Sequence, residues 1–309
     1  MDSKIDSLSN AVSIINNKSH ISFSGFAHSI APMAFVREMI RQRRQDLEIS
    51  AVGEAWAVDM LSGAGLLSKV RLSNFMFEGW GRCHNFSREV EEGNIEVEDY
   101  SHYGMINKFL AGSMGIPFLP TKVMNGTDIV NVETIDKSNK FKEYTCPFSK
   151  EKVILLPKIQ PDFAIIHSSR ADKNGNIQLF GISSSTEEIA KAAKYVIVTT
   201  EEIVEEEVIR KNPSNTILPG FLIDKVVHVP YGAHPSGMYQ YYDYDVEHID
   251  IYIKASKTKK DFNKYLQNYV FNCENHLQYL KQMGISHLLN LRADPYYGYS
   301  LKGREEKYV

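Results

Sequence analysis

Two carboxylates and one turn are the features whose residue types and placement could do chemistry. Glu54, in AVGEAW, follows a run with strand character, and Glu78, in FEGWG, follows the next such run. Open α/β sheets keep functional side chains just outside strand C-termini, so either carboxylate could act as a base or a nucleophile. Their plainer reading is a solvated or ion-paired loop residue. The stretch HISFSGFAHSIAPMAFV, His20 to Val36, reads as a strand, a sharp turn at Ser24-Gly25, then a helix with Pro32 near its first turn. Unpaired backbone N–H groups in such a turn, beside a helix N-terminus, favour an anion or a developing oxyanion. Alternatively, Ser24 and Gly25 only let strand and helix pack closely; the turn matches no glycine-rich phosphate fingerprint.

Other reactive residue types give weaker signals. His167, His228 and His234 lack ligand spacing, and no HxxxH or HxH pair occurs, so no metal is expected. Cys83, Cys146 and Cys273 form no CxxC pair and read as reduced thiols that pack rather than react. The acidic stretch from Glu201 to Glu207 reads as a solvated helix start.

The elements that must position these groups alternate in type. Ile5, Leu8, Val12 and Ile15 recur at steps of three and four, the mark of a first amphipathic helix. Strand-like runs follow at residues 21–23, 47–52, 70–77, 95–97, 153–156, 163–167, 195–200 and 225–229. Between them lie helical patterns: one from Pro32 ending in the basic run 41–44, and others at residues 60–67 with Gly63 and Gly65 inside, 87–92, 105–114 and 185–194. Alternation of this kind predicts an α/β fold, an open and mostly parallel sheet with helices on both faces. Asn174-Gly175, between Ala171 and Leu179, adds an antiparallel hairpin. Residues 254–309 read as an appended helical layer on a single domain spanning 1–309.

Composition bounds the function. The 309 residues are 43% hydrophobic and 24% charged, enough for a full α/β core. A net charge of −3 argues against nucleic acid as a partner. The polar N-terminus and the lack of a long apolar run predict neither a signal peptide nor a membrane span, hence a cytoplasmic protein.

Five runs carry a resemblance: FSGFAHSIAPMAFVREMIRQ, GIPFLPTKVMNGTD, CPFSKEKVILLPKIQPDFAIIHSSRADKNGNIQLFG, VIVTTEEIV and VVHVPYGAHPSGMY. Together, in this order and across residues 20–240, they resemble the α subunit of family I coenzyme A transferases, above all the glutaconate branch. The resemblance implies an open α/β fold shared with a β subunit, in a heterodimer or heterotetramer whose active site lies between the two. The glutamate that forms an acyl anhydride and then a thioester with CoA would belong to β. Acyl-CoA and a small carboxylic acid would be the substrates, with no permanently bound cofactor and no membrane partner.

The same resemblance assigns residues. Ser24, Gly25, Phe26 and His28 form the turn, with His28 placed to bind a substrate's distal carboxylate; otherwise it is a polar side chain of the first helical turn. Ser101, His102 and Tyr103 precede Gly104, and Gly126, Thr127 and Asp128 form a loop that faces the subunit junction, or else a plain turn. Two departures stand out. The family's first and last turn glycines are Ser24 and Ile30 here; serine is small enough for the turn, but a positive φ is less accessible to it. Tyr103 stands where related transferases have a glutamine that donates to the thioester oxygen. A phenol can donate to an oxyanion or act as an acid, or it can simply pack in an interface. Three readings stay open: a CoA transferase subunit, a decarboxylase or carbon–carbon hydrolase subunit of the same fold, and a non-catalytic subunit that completes a partner's site.

Overall fold

The computed structural model describes residues 3–132, 135 and 140–300. A short helix, α1 (Leu8–Ser13), leads into β1 (His20–Phe23), and the chain then repeats a strand–helix unit. Helix α2 (Met33–Arg41) returns to β2 (Leu47–Ser50), α3 (Trp56–Gly63) to β3 (Leu67–Leu72), and α4 (His84–Glu91) to β4 (Glu96–Asp99). These four strands pair in parallel in the order 1-2-3-4. Helix α5 (His102–Ser113) follows, capped by Ser101, whose hydroxyl accepts from the Gly104 N–H at 3.1 Å.

The next three strands leave the main sheet. β5 (Phe118–Thr121), β6 (Lys142–Thr145) and β7 (Lys152–Pro157) form a separate antiparallel sheet in the order 5-7-6, which corrects the expectation that the strand at 153–156 joins the central one. The chain re-enters with β8 (Phe163–Ala171), which pairs with β1 on one side, and turns through Asn174-Gly175 to β9 (Ile177–Gln178). Helix α6 (Thr186–Ala192) precedes β10 (Tyr195–Ile203), which pairs with β8 on its other side; α7 (Glu206–Lys211), β11 (Thr216–Leu218) and β12 (Lys225–His228) complete the sheet. Among the described residues the central sheet has nine strands. From β1 the order runs outward to β4, and from β8 it runs the other way through β10 to β12. The crevice of such a sheet opens where the order reverses, between the C-terminal ends of β1 and β8.

The last layer is α8 (Val246–Ser256), α9 (Lys259–Leu266), α10 (His276–Met283) and α11 (Ile285–Asn290). It is part of the core rather than a cover: Tyr252 packs with its ring centre 5.1 Å from Trp56, and Phe262 and Tyr265 are buried beside it. A buried carboxylate ties three helices, since Asp59 of α3 accepts from the Phe86 N–H and Asn85 of α4 and from the Tyr252 hydroxyl of α8. Residues 301–309 of the expected tail lie outside the described residues. Among the described residues no helix is long and apolar enough to cross a membrane.

Of the element boundaries that differ from expectation, three have clear local reasons. Helix α3 starts at Trp56, not residue 60, because the Glu54 carboxylate accepts from the Ala57 N–H at 2.9 Å, and Gly63 ends the helix instead of interrupting it. Strand β3 stops at Leu72, so a loop separates it from Glu78, which opens a single 3-10 turn. The acidic run is not a solvated helix start: Glu201 is buried inside β10, and α7 begins only at Glu206.

Close packing of α5 on α6 requires Gly112. A Cβ there would lie 2.1 Å from the Ile159 carbonyl oxygen and 2.9 Å from the Ala192 Cβ, and the first of these is backbone. Gly112→Ala should lower unfolding stability by about 1–3 kcal/mol, read as a lower urea midpoint at unchanged slope. An unchanged midpoint would mean that α5 and α6 pack less closely than described.

Candidate functional site

The chain crosses from β1 into its turn at the point where the sheet order reverses. Ser24 is held there by β8: its N–H donates to the Ile165 carbonyl at 2.9 Å, and its hydroxyl accepts from the His167 N–H at 2.9 Å and donates to the Ile30 carbonyl at 3.0 Å. Ser24 therefore does what no glycine could, and it needs no positive φ, because the left-handed residues of the turn are Gly25, Ala27 and Ile30. Gly25, at φ +144°, passes directly over Glu54, and a Cβ on it would fall 2.4 Å from the Glu54 Cγ.

Around this turn the structure assembles most of the expected residues. The Ala27 N–H donates to the Gly53 carbonyl at 3.3 Å, and Phe26 meets His102 edge-on with ring centres 5.9 Å apart. His102 also reaches the Ser73 hydroxyl at 3.4 Å, after β3. Met124 packs against Gly104 and Ser101, so the loop of Gly126, Thr127 and Asp128 lies beside the start of α5. Those three residues are exposed, and the Thr127 hydroxyl donates to the Met124 carbonyl in an ordinary turn. Tyr103 is 58% exposed on the first turn of α5. Glu78 is exposed too, with its charge close to His28.

His28 is the centre of a group that sequence reasoning missed. Its ring is buried among Trp80 at 4.8 Å, Tyr244 at 5.5 Å and Trp56 at 5.9 Å, measured between ring centres. The Trp56 indole N–H donates to its Nδ1 at 3.2 Å, which assigns the remaining proton of the neutral ring to Nε2. Burial holds the imidazole below its ordinary pKa. The backbone of Phe77 offsets this in part, yet among the described residues none reaches Nε2 in hydrogen-bonding geometry. Trp56, two residues past Glu54, was visible as a motif neighbour, but Trp80 and Tyr244 come from a loop and the start of the last layer.

The second missed group is a network behind the turn. His167 places Nδ1 2.8 Å from the Thr199 hydroxyl and Nε2 2.7 Å from Glu201. Glu201 also accepts from the Tyr231 and Gly232 N–H groups and from the Tyr242 hydroxyl at 2.6 Å. A buried carboxylate with this many donors is fully satisfied, and it fixes the loop at residues 231–238. That loop clamps the turn, as the Gly237 N–H donates to the His28 carbonyl at 2.8 Å and the Ile30 N–H to the Gly237 carbonyl at 2.9 Å.

Comparison with known proteins decides the family. The family model described as Coenzyme A transferase matches residues 5–229. A glutaconate CoA-transferase subunit of Acidaminococcus fermentans is 36% identical, over 98% of this chain and 99% of its own length. This chain belongs to the coenzyme A transferase family. The solved glutaconate CoA-transferase from that organism superposes with a TM-score of 0.92 at 34% identity, covering 96% of this chain and 98% of that one. A 3-oxoadipate CoA-transferase subunit of Pseudomonas knackmussii is 32% identical over 83% of this chain and 89% of its own. A solved decarboxylase, AibA/AibB, superposes at TM-score 0.76 and 27% identity, covering 86% of this chain and 100% of that one.

The chain is thus an enzyme subunit of the CoA-transferase type, and enzymes of this type act on CoA thioesters. Relatives that are themselves named as subunits imply a partner chain. Of the two candidate carboxylates, Glu54 is 2% exposed and Glu78 is open to solvent. Burial raises the Glu54 carboxyl to about 7, against the opposing N–H groups of the α3 N-terminus, and its Oε2 has no partner among the described residues. A carboxyl whose folded pKa exceeds its unfolded value holds its proton more tightly when folded. The stability it contributes is complete below about pH 4.5 and is lost as pH rises through about 7. Glu54→Gln cannot ionise, so its unfolding free energy relative to the parent chain should rise by on the order of 2–3 kcal/mol between pH 5 and pH 8. Parallel pH profiles for the two proteins would show that Glu54 is not held neutral.

Proposed function

We propose that this chain is the α subunit of a heteromeric transferase that moves CoA between two carboxylic acids, one of them a glutaconate-like dicarboxylate, with the nucleophilic glutamate supplied by a β partner. One observation carries the reading: the site is built on one side only. His28, His102 and Glu54 are packed at the C-terminal ends of the strands, while Tyr103 and the loop of Gly126, Thr127 and Asp128 face open solvent beside them. An exposed tyrosine on the rim of a half-built site suits a subunit junction.

In this reading the turn of Ser24, Gly25 and Phe26 shapes the acyl pocket, and His28 offers its unpartnered Nε2 proton to a substrate carboxylate. Ser101 and His102 hold the start of α5 against the turn. Tyr103 presents its phenol to the thioester oxygen as negative charge develops there. Glu54 supports Gly25 from below and does not attack. Cytoplasmic location follows the same reading.

The test is chemical. The chain alone should be inactive, and activity should appear with the β partner, with initial rates of the ping-pong type. Treating the acyl-CoA-loaded complex with borohydride should trap a glutamate of the β partner. Label on Glu54 or Glu78 would move the nucleophile into this chain. The relationship to the decarboxylase, together with Tyr103 at a position where transferases carry glutamine, supports one rival: release of carbon dioxide with nothing trapped would establish it.

Tyr103→Phe separates donor from packing residue. Loss of the hydroxyl should lower kcat by roughly 100-fold while acyl-CoA binding stays nearly constant. An unchanged kcat would leave Tyr103 an interface side chain.

A further inference from the structure

The loop that clamps the turn is fastened at its far end by a second cluster, which the proposed transfer reaction does not use. His234, in that loop, is fully buried, and its Nε2 lies 2.9 Å from Asp245 Oδ2 at the start of α8. His287 of α11 brings its own Nε2 to 2.5 Å from the same oxygen. The three ligand atoms lie within 4.8 Å of one another. Both imidazoles converge on one carboxylate oxygen, while Asp245 Oδ1 is occupied by the His248 N–H at 3.1 Å.

The far nitrogen of His234 is also provided for: its Nδ1 lies 2.7 Å from the Tyr279 hydroxyl. Metal-ligating histidines are held in this manner, with an oxygen on the second ring nitrogen that fixes tautomer and orientation. His287 Nδ1 faces the Glu247 carboxylate at 3.9 Å, an ion-pair distance rather than a hydrogen bond. We propose that His234, Asp245 and His287 form a site for a divalent transition-metal ion, with Zn2+ matching two imidazoles and a carboxylate and a fourth position left to water.

Proton balance is simple for this site. Each neutral ring gives up its Nε2 proton to free a lone pair and carries a proton on Nδ1 instead, which the Tyr279 oxygen can accept from His234 and water from the partly exposed His287. No redox step or co-reactant is needed. One charge opposes the ion: the Arg37 guanidinium, stacked 3.7 Å from the centre of the Tyr279 ring, donates to the His234 carbonyl. The carboxylates of Asp245 and Glu247 offset it. His287 is 23% exposed, which gives an entry path.

The spacing rule failed to find this site because its ligands lie on a loop, a helix start and a separate helix, 11 and 42 residues apart. An ion there would tie α11 to the loop at 231–238 and, through Gly237 and Ser236, to the backbone of His28 and Ala31.

The test uses the whole chain with Cys146→Ser, which removes a surface thiol, after treatment with a chelator. Zn2+ titrated against a chromophoric chelator should bind at one equivalent and raise the melting temperature. Co2+ should give the visible absorption of a tetrahedral site. His287→Ala, at a partly exposed position, should keep the metal-free melting temperature near that of the parent, weaken Zn2+ binding by at least roughly 10-fold and abolish the Co2+ spectrum. No stoichiometric Zn2+ binding by the parent, or equal binding by His287→Ala, would overturn the proposal and leave the cluster as a hydrogen-bonded clasp. Neither readout depends on transferase activity.

Discussion

The passage of the β1 turn over the Glu54 side chain constrains everything around it. Only a residue without a Cβ can make that approach, and Gly25 does so with a φ that side chains rarely adopt. The consequence is chemical as well as steric. With the turn as its lid, Glu54 loses water, keeps acceptor bonds to the start of α3, and has its pKa raised to about 7 by burial. The same enclosure sets Glu54 apart from Glu78, which stays open to solvent.

The same turn shows how a family pattern survives altered residues. Ile30, where the family has glycine, takes a φ of +54° although it is β-branched. Backbone strain of this sort costs about 1–3 kcal/mol and persists only where the surroundings over-determine it. Here they do, since the Ile30 carbonyl accepts from Ser24, its N–H donates to Gly237, and its side chain is buried. Serine in place of the first glycine thus contributes a hydroxyl bridge from β1 to β8 and to the strained residue.

Behind the turn, buried charge replaces apolar packing. Glu201 gathers donors from β8, the loop at 231–238 and Tyr242, and the loop passes that order on to His28. An unpaired buried carboxylate would be costly, but a satisfied one fixes geometry in a way that interchangeable apolar contacts do not. The last helical layer enters this scheme through Tyr252 on Asp59 and through Asp245, so the C-terminal helices take part in positioning the site.

Local pattern alone determined the alternation of elements, the parallel sheet, the hairpin at Asn174-Gly175 and the turn at Ser24-Gly25, because hydrophobic periodicity and turn residues act over a few positions. The ordered motifs determined the family for the same reason: each is a contiguous run. Tertiary structure decided what depends on distant partners. The strand at 153–156 left the central sheet to pair with β5 and β6. Glu201 proved to be a buried hub, because an acidic run looks alike in sequence whether it faces water or a set of donors. The walls of His28 and the His234, Asp245 and His287 cluster were equally hidden, since Trp80 reaches His28 from the loop after β3, and Tyr244 and His287 arrive only with the last layer.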